Sequence, residues 1–167
     1  MTELGRIPAG DMSQQQKHPL LLILDDVRSM HNVGSAFRTG DAFAVNGIYL
    51  CGYTPVPPHR DIHKTALGAT ETVPWQHFPD TVAAILAAKA QGYQIYAVEQ
   101  THHSTPLSSL SWDGQSPVAL VFGNEVSGVS DAALALADLV IEIPQWGAKH
   151  SLNISVSLGI VIWEMVK

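Results

Sequence analysis

Leu20-Leu21-Leu22-Ile23-Leu24 is an unbroken apolar run that stops at Asp25-Asp26. A strand with one wet face alternates apolar and polar residues, so a run without alternation must be covered on both sides. Four more short runs behave alike, at residues 47–51, 94–98, 118–122 and 139–143, and the last two are closed by the breakers Gly123 and Pro144. Between the runs lie stretches with helical spacing: 33–43, a short piece at 62–67, the Ala-rich 81–91, 131–137 and 151–166. Strand and helix alternating in this way predict an α/β fold, a mostly parallel sheet of five strands flanked by helices.

Residues 1–18 mix Gly, Pro, Ser and Gln without periodicity and read as an N-terminal arm, which leaves 19–167 as one domain. An apolar fraction of 46% with 14% charged residues supports a packed core and excludes a disordered chain. The single cysteine, Cys51, excludes a disulfide framework and a multi-Cys zinc module, so a reducing, cytoplasmic setting is expected. No apolar run reaches the ~18 residues of a membrane span, and no membrane association is expected. A net charge of −6 argues against coating nucleic acid by bulk charge, and DNA is not an expected partner. The last helix carries apolar residues on every face, from Leu152 and Ile154 to Met165 and Val166, which predicts burial on all sides and a second copy as cover.

The turn Gly123-Asn124-Glu125-Val126-Ser127-Gly128 has two-glycine spacing, but Val129-Ser130 stand where a phosphate loop needs its lysine. No G-x-G-x-x-G follows any run, so a dinucleotide fold has no support. What remains is a turn with an amide and a carboxylate, then Ser130 as a helix cap; Glu125 can equally be a residue that ties down the turn. Asn32 precedes the helix 33–43 and Arg38 lies within it, so that helix starts where open α/β sheets bind ligands. As an N-cap, and as an ion-pair partner of Asp41 or Asp26, the same two residues would carry no chemistry. Ser151 can cap the last helix, whereas an Asn153 inside an apolar helix needs its amide satisfied, which points to a partner. His59 and His63, and the pair His102-His103, lack an H-E-x-x-H motif or a Cys partner, so no metal site is expected. The absence of a G-x-S-x-G elbow speaks against a hydrolase.

Taken together, three segments resemble the motifs of the SpoU/TrmH family of RNA ribose methyltransferases. They are Asn32-Val33-Gly34-Ser35-Ala36-Phe37-Arg38-Thr39-Gly40-Asp41-Ala42-Phe43, the stretch from Phe122 through Gly123-Asn124-Glu125 to Ser130, and Ile143-Pro144 through Gly147 to Ser151-Leu152-Asn153-Ile154-Ser155-Val156. Their order and spacing match, residues 63–69 resemble a further family segment, and the resemblance runs from about Leu20 to Lys167. It implies a SPOUT fold with a C-terminal deep trefoil knot, which general topology rules would not anticipate. It also implies a homodimer with the site near the subunit interface, and S-adenosyl-L-methionine as cofactor. By this resemblance the cofactor rests against Val98, Gly123, Asn124, Ile143, Ser151, Leu152 and Asn153, and the catalytic positions are Asn32, Arg38, Glu125, Ser151 and Asn153. Gln145-Trp146 stand where many members carry Met, and 148–150 is a variable stretch; both touch the pocket rim and bear on substrate choice.

The implied reaction transfers a methyl group to a ribose 2′-hydroxyl of tRNA or rRNA. A guanidinium stays protonated, so Arg38 is expected to anchor the adjacent phosphate and stabilise the developing alkoxide, leaving the proton to phosphate or water. Asn32 would orient Arg38 or the substrate, Glu125 would brace the turn, Ser151 and Asn153 would shape the pocket, and His150 is an accessory base candidate. Arg28, Arg38, Arg60, Lys64 and Lys149 are the RNA-binding candidates, five of the nine basic residues. With no separate RNA-binding domain or C-terminal extension in the sequence, recognition is expected to rest on the core, the arm and the dimer. Two other readings stand beside this one: a catalytically inactive RNA-binding member of the same fold, and a small-nucleotide-binding α/β domain.

Overall fold

The computed structural model describes residues 16–148 and 151–167, so most of the expected arm, Lys149 and His150 lie outside the described residues. The chain runs β1 (His18–Asp25), α1 (Met30–Ala42), β2 (Val45–Cys51), α2 (Arg60–Ala66), β3 (Trp75–Phe78), α3 (Thr81–Ala90) and β4 (Gln94–Val98). It continues through β5 (Thr105–Pro106), a short 3-10 turn, β6 (Val118–Phe122), α4 (Asp131–Leu136), β7 (Leu139–Glu142) and α5 (Ile154–Val166). One sheet of seven strands, ordered β3-β2-β1-β6-β4-β7-β5, holds them all in parallel pairs.

The unbroken run of β1 is explained by cover on both faces. Leu20, Leu22 and Leu24 pack with Val33 and Phe37 of α1, Ile62 of α2, and Leu158, Val161 and Ile162 of α5. Leu21 and Ile23 pack with Ala84, Ile85 and Ala88 of α3 and Ala133 of α4. Each such fully buried Leu or Ile contributes about 1.5–3 kcal/mol. Helices α1, α2 and α5 therefore lie on one face of the sheet and α3 and α4 on the other.

All five expected strands are present, and the edges supply two more. The outermost, β3, is largely exposed, so its residues carry no apolar run; β5 is two residues long and includes Pro106, which only an edge tolerates. Helix starts need two corrections. Helix α1 begins at Met30 and is capped by Ser29, whose hydroxyl accepts from the Asn32 N–H at 3.2 Å, so Asn32 is not the cap and its side chain is available for other work. Helix α5 begins at Ile154, and Asn153 is its cap, with its side-chain oxygen accepting from Ser155 N–H at 2.8 Å. Asn153 is thus exposed at a helix end, and the argument from a polar group buried in an apolar helix does not apply to it.

Within the single chain α5 is covered on one side only, and the cover expected from a second copy would fall on the other. Leu158, Val161, Ile162 and Met165 are buried, but Val156, Ile160 and Trp163 are 49%, 39% and 56% exposed, because a helix on one face of a sheet is covered from one side only.

Candidate functional site

Because the strands are parallel, their carboxyl ends align: Phe122 of β6 pairs with Leu24 of β1 and Val98 of β4, and Val98 pairs with Ile141 of β7. The loop 123–130 rises from this edge. Asn124 and Gly128 exchange backbone hydrogen bonds of 2.9 Å each, and Asn124 Oδ1 accepts from Val126 N–H at 2.8 Å and Ser127 N–H at 3.3 Å. The bracing of the turn thus falls to Asn124. A Cβ on Gly123 would overlap the backbone of Gly128 and Val129, so the loop folds back on itself only with glycine there.

Both neighbouring strands grip this loop with carboxylates. Asp25, at the end of β1 and 3% exposed, accepts from Ser130 N–H at 2.8 Å and from the Thr81 hydroxyl. Glu99, following β4, accepts from Val129 N–H and Gln100 N–H, each at 2.9 Å. Glu125 reaches out of the turn to the start of α1, accepting from Arg28 N–H at 3.3 Å, Ser29 N–H at 3.2 Å and Asn32 Nδ2 at 3.1 Å. Partial burial would push the Glu125 carboxyl up, but the hydrogen bonds from Asn32 and the backbone outweigh it and hold the group below its ordinary value.

A cavity of about 630 Å³ opens at this edge. Val98, Gly123, Asn124, Ile143, Ser151, Leu152 and Asn153, the positions named for the cofactor, all line it, as does Glu125. Four residues of its lining are acidic, Glu99, Glu125, Asp131 and Glu142, and no described residue of the lining is Lys or Arg. Such walls repel phosphates and favour a positively charged small molecule.

The remaining candidates are spread around this edge. Asn32 meets the cavity through Glu125. Arg38 stands on the exposed face of α1 and does not line the cavity; no ion pair among the described residues joins it to Asp41 or Asp26. Arg60 and Lys64, both on α2, bracket Asp61 at 3.8 and 2.9 Å, and the hydrogen bond from Lys64 holds the Asp61 carboxyl below its ordinary value. Arg28 is exposed, with its guanidinium 5.7 Å from the Tyr53 ring centroid. Lys149 and His150 lie outside the described residues. His59 caps α2, its Nδ1 accepting from Asp61 N–H at 3.1 Å, which gives that histidine a structural task.

Asp25, Glu99 and Tyr53 were not singled out in the sequence. The carboxylates stand visibly after apolar runs, but β6 lies between β1 and β4 only in the sheet order, so nothing in chain order shows that both flank one loop.

The fold and the cavity define an α/β protein that takes a small ligand at the carboxyl ends of a parallel sheet, without a phosphate loop. The profile of the SpoU rRNA Methylase family matches residues 19–163, and the chain belongs to that family. It is 34% identical over 145 residues to the 23S rRNA (guanosine-2′-O-)-methyltransferase RlmB of Nitrosomonas europaea, covering 87% of this chain and 55% of that protein. It is 31% identical over 163 residues to the tRNA (guanosine(18)-2′-O)-methyltransferase of Thermus thermophilus, covering 98% and 82%. The crystal structure of an AdoMet-bound rRNA methyltransferase from Sinorhizobium meliloti superimposes with a TM-score of 0.82 at 30% identity, over 89% of this chain and 56% of that one. The chain therefore spans little more than half the length of the Nitrosomonas and Sinorhizobium proteins.

Proposed function

We propose that this chain is an S-adenosyl-L-methionine-dependent methyltransferase that acts on a ribose 2′-hydroxyl of tRNA or rRNA. The observation that carries the reading is the acidic cavity where β6, β4 and β7 end, in a member of this family. S-adenosylmethionine pairs a sulfonium and an ammonium with a single carboxylate, so its net positive charge suits a lining with four acidic residues and no described Lys or Arg. The same walls disfavour phosphorylated nucleotides, which counts against a small-nucleotide-binding domain. When bound, the cofactor supplies an activated methyl group, and the protein's larger task is alignment of the acceptor.

Asn124 and the two flanking acids, Asp25 and Glu99, fix the loop that would hold the cofactor. Asn32 and Glu125 join that loop to α1, the helix that carries Arg38. Arg38 then serves as the phosphate anchor and oxyanion stabiliser, a role that a permanently charged group can fill and a base cannot. Ser151 and Asn153 shape the wall that the chain before α5 contributes, and Arg28, Arg60, Lys64 and Lys149, the last outside the described residues, are the groups proposed to grip RNA phosphates.

The reading extends to the rest of the molecule. A C-terminal knot is part of the proposal through the family the chain belongs to. A homodimer is supported by the exposed apolar side of α5, and a reducing cytoplasm by the lone buried thiol of Cys51. The proposed domain takes in 19–167 together with His18, which opens β1. The test is calorimetric titration with S-adenosylmethionine, paired with methyl transfer to bulk bacterial RNA. Saturable binding with transfer is expected; binding of RNA without transfer would make the chain a non-catalytic member, and no heat at millimolar cofactor would remove the reading.

A further inference from the structure

The loop between β2 and α2 places an aromatic ring in solvent on a rigid mount. Tyr53 is 79% exposed, yet its N–H donates to Asp26 Oδ1 at 2.8 Å. Before it, Gly52 adopts φ +60°, donates to Phe78 O at 3.0 Å, and has its own carbonyl 3.0 Å from His77 Nε2. A Cβ at Gly52 would overlap the Asp26 carboxylate, so this close turn requires glycine. After it, Thr54 is buried, with its N–H donating to Cys51 O at 3.1 Å and its hydroxyl to Leu24 O at 3.2 Å. Three consecutive residues are pinned to strands β1, β2 and β3 while the ring between them is left in water.

A large exposed ring gains nothing for the fold. The ring is linked to the cavity through Arg28: its guanidinium lies over the ring, 5.7 Å from the centroid, and its N–H donates to Glu125, which lines the cavity. The guanidinium adds cation–π and stacking surface and a positive charge next to the open face of the ring. We propose that Tyr53, backed by Arg28, is a stacking platform for an unpaired nucleobase of the RNA, adjacent to the ribose that is methylated. The ligand class rests on the RNA methyltransferase reading. Single-stranded RNA is recognised largely by bases splayed onto aromatic and guanidinium planes, and a ring already fixed in place stacks at little entropic cost. Because every base has a π-face, the platform supplies affinity and register while leaving sequence choice to other contacts.

The experiment compares binding of a mixed-sequence single-stranded RNA with an abasic ribose-phosphate strand of equal length, for wild type, Tyr53→Ala, Tyr53→Phe and Tyr53→Trp. Tyr53→Ala should weaken binding of the base-bearing strand about tenfold and leave the abasic strand unchanged, while Phe and Trp keep wild-type affinity. Equal weakening on both strands, no weakening on either, or failure of Phe and Trp to rescue overturns the platform, as does a wild-type protein that binds neither strand. Titration of the same four proteins with S-adenosylmethionine separates the two readings. Unchanged cofactor affinity in Tyr53→Ala is expected, and a wild type that shows the base-dependent effect but takes no cofactor overturns the methyltransferase reading alone.

Discussion

Burial pushes the Cys51 thiol up to about 12; a hydrogen bond with Thr81 opposes it, and the carboxylates of Asp25, Asp26 and Asp80 add smaller upward pushes. The thiolate is the reactive form, so Cys51 should resist thiol reagents at neutral pH until the protein is denatured. Rapid stoichiometric labelling of the native protein would show that the end of β2 opens. Glu125 illustrates the opposite sign. Its folded carboxyl titrates below the ordinary value despite its burial, so the unfolded chain binds more protons in that window and stability rises with pH there. The contribution is complete at neutral pH and is lost as pH falls below the ordinary carboxylate range. Glu125→Gln should therefore flatten the acid side of a thermal-unfolding series, and an unchanged acid slope would contradict the hydrogen bonds assigned to it. Arg38 stands apart from the cavity wall, so Arg38→Ala should lose most methyl transfer and keep cofactor affinity. Transfer at the wild-type rate would remove Arg38 from the mechanism.

Elements with a two-sided core were readable directly, because burial on both faces of β1, β4 and β6 leaves an unbroken apolar signature. The edges were not: β3 shows Trp75, Gln76 and His77 to solvent and has no pattern to detect. The sequence pattern of 151–166 places the end of α5 correctly but starts it three residues early, since Ser151 and Asn153 are both good cap residues and only the backbone decides between them. The loop 123–130 was legible as a site, whereas the carboxylates that clasp it depend on sheet order. The crowding at Gly123 gives this element its own prediction. A methyl group there meets backbone atoms of Gly128 and Val129, with no flexible side chain to move aside, so Gly123→Ala must displace the loop. Cofactor binding measured by calorimetry should fall sharply while the circular dichroism spectrum stays native, because β6 itself is untouched. Wild-type affinity in that variant would place the cofactor elsewhere.

At the scale of the whole molecule, the single chain leaves a surface that water does not favour. Val156, Ile160 and Trp163 recur along one side of α5, and Trp163 leans on Phe43 at the end of α1 with ring centroids 6.1 Å apart, extending the apolar area onto the neighbouring helix. A second copy placed on this side would bury it, and light scattering should then report twice the mass of one chain. The structure separates two substitutions that the sequence treats alike. Ile162 is fully buried in the core, so Ile162→Glu puts an unpaired charge among apolar side chains and should unfold the chain. Ile160 is 39% exposed in the single chain, so Ile160→Glu should leave the fold intact and dissociate the dimer. Dissociation carries a further consequence, because Arg38 lines no part of its own chain's cavity and sits on the helix that packs beside α5. If the partner surface brings Arg38 to the reaction, the Ile160→Glu monomer should lose methyl transfer far more than cofactor affinity. A wild-type protein that is a monodisperse monomer, or an Ile160→Glu variant that remains a dimer, would move the interface off α5.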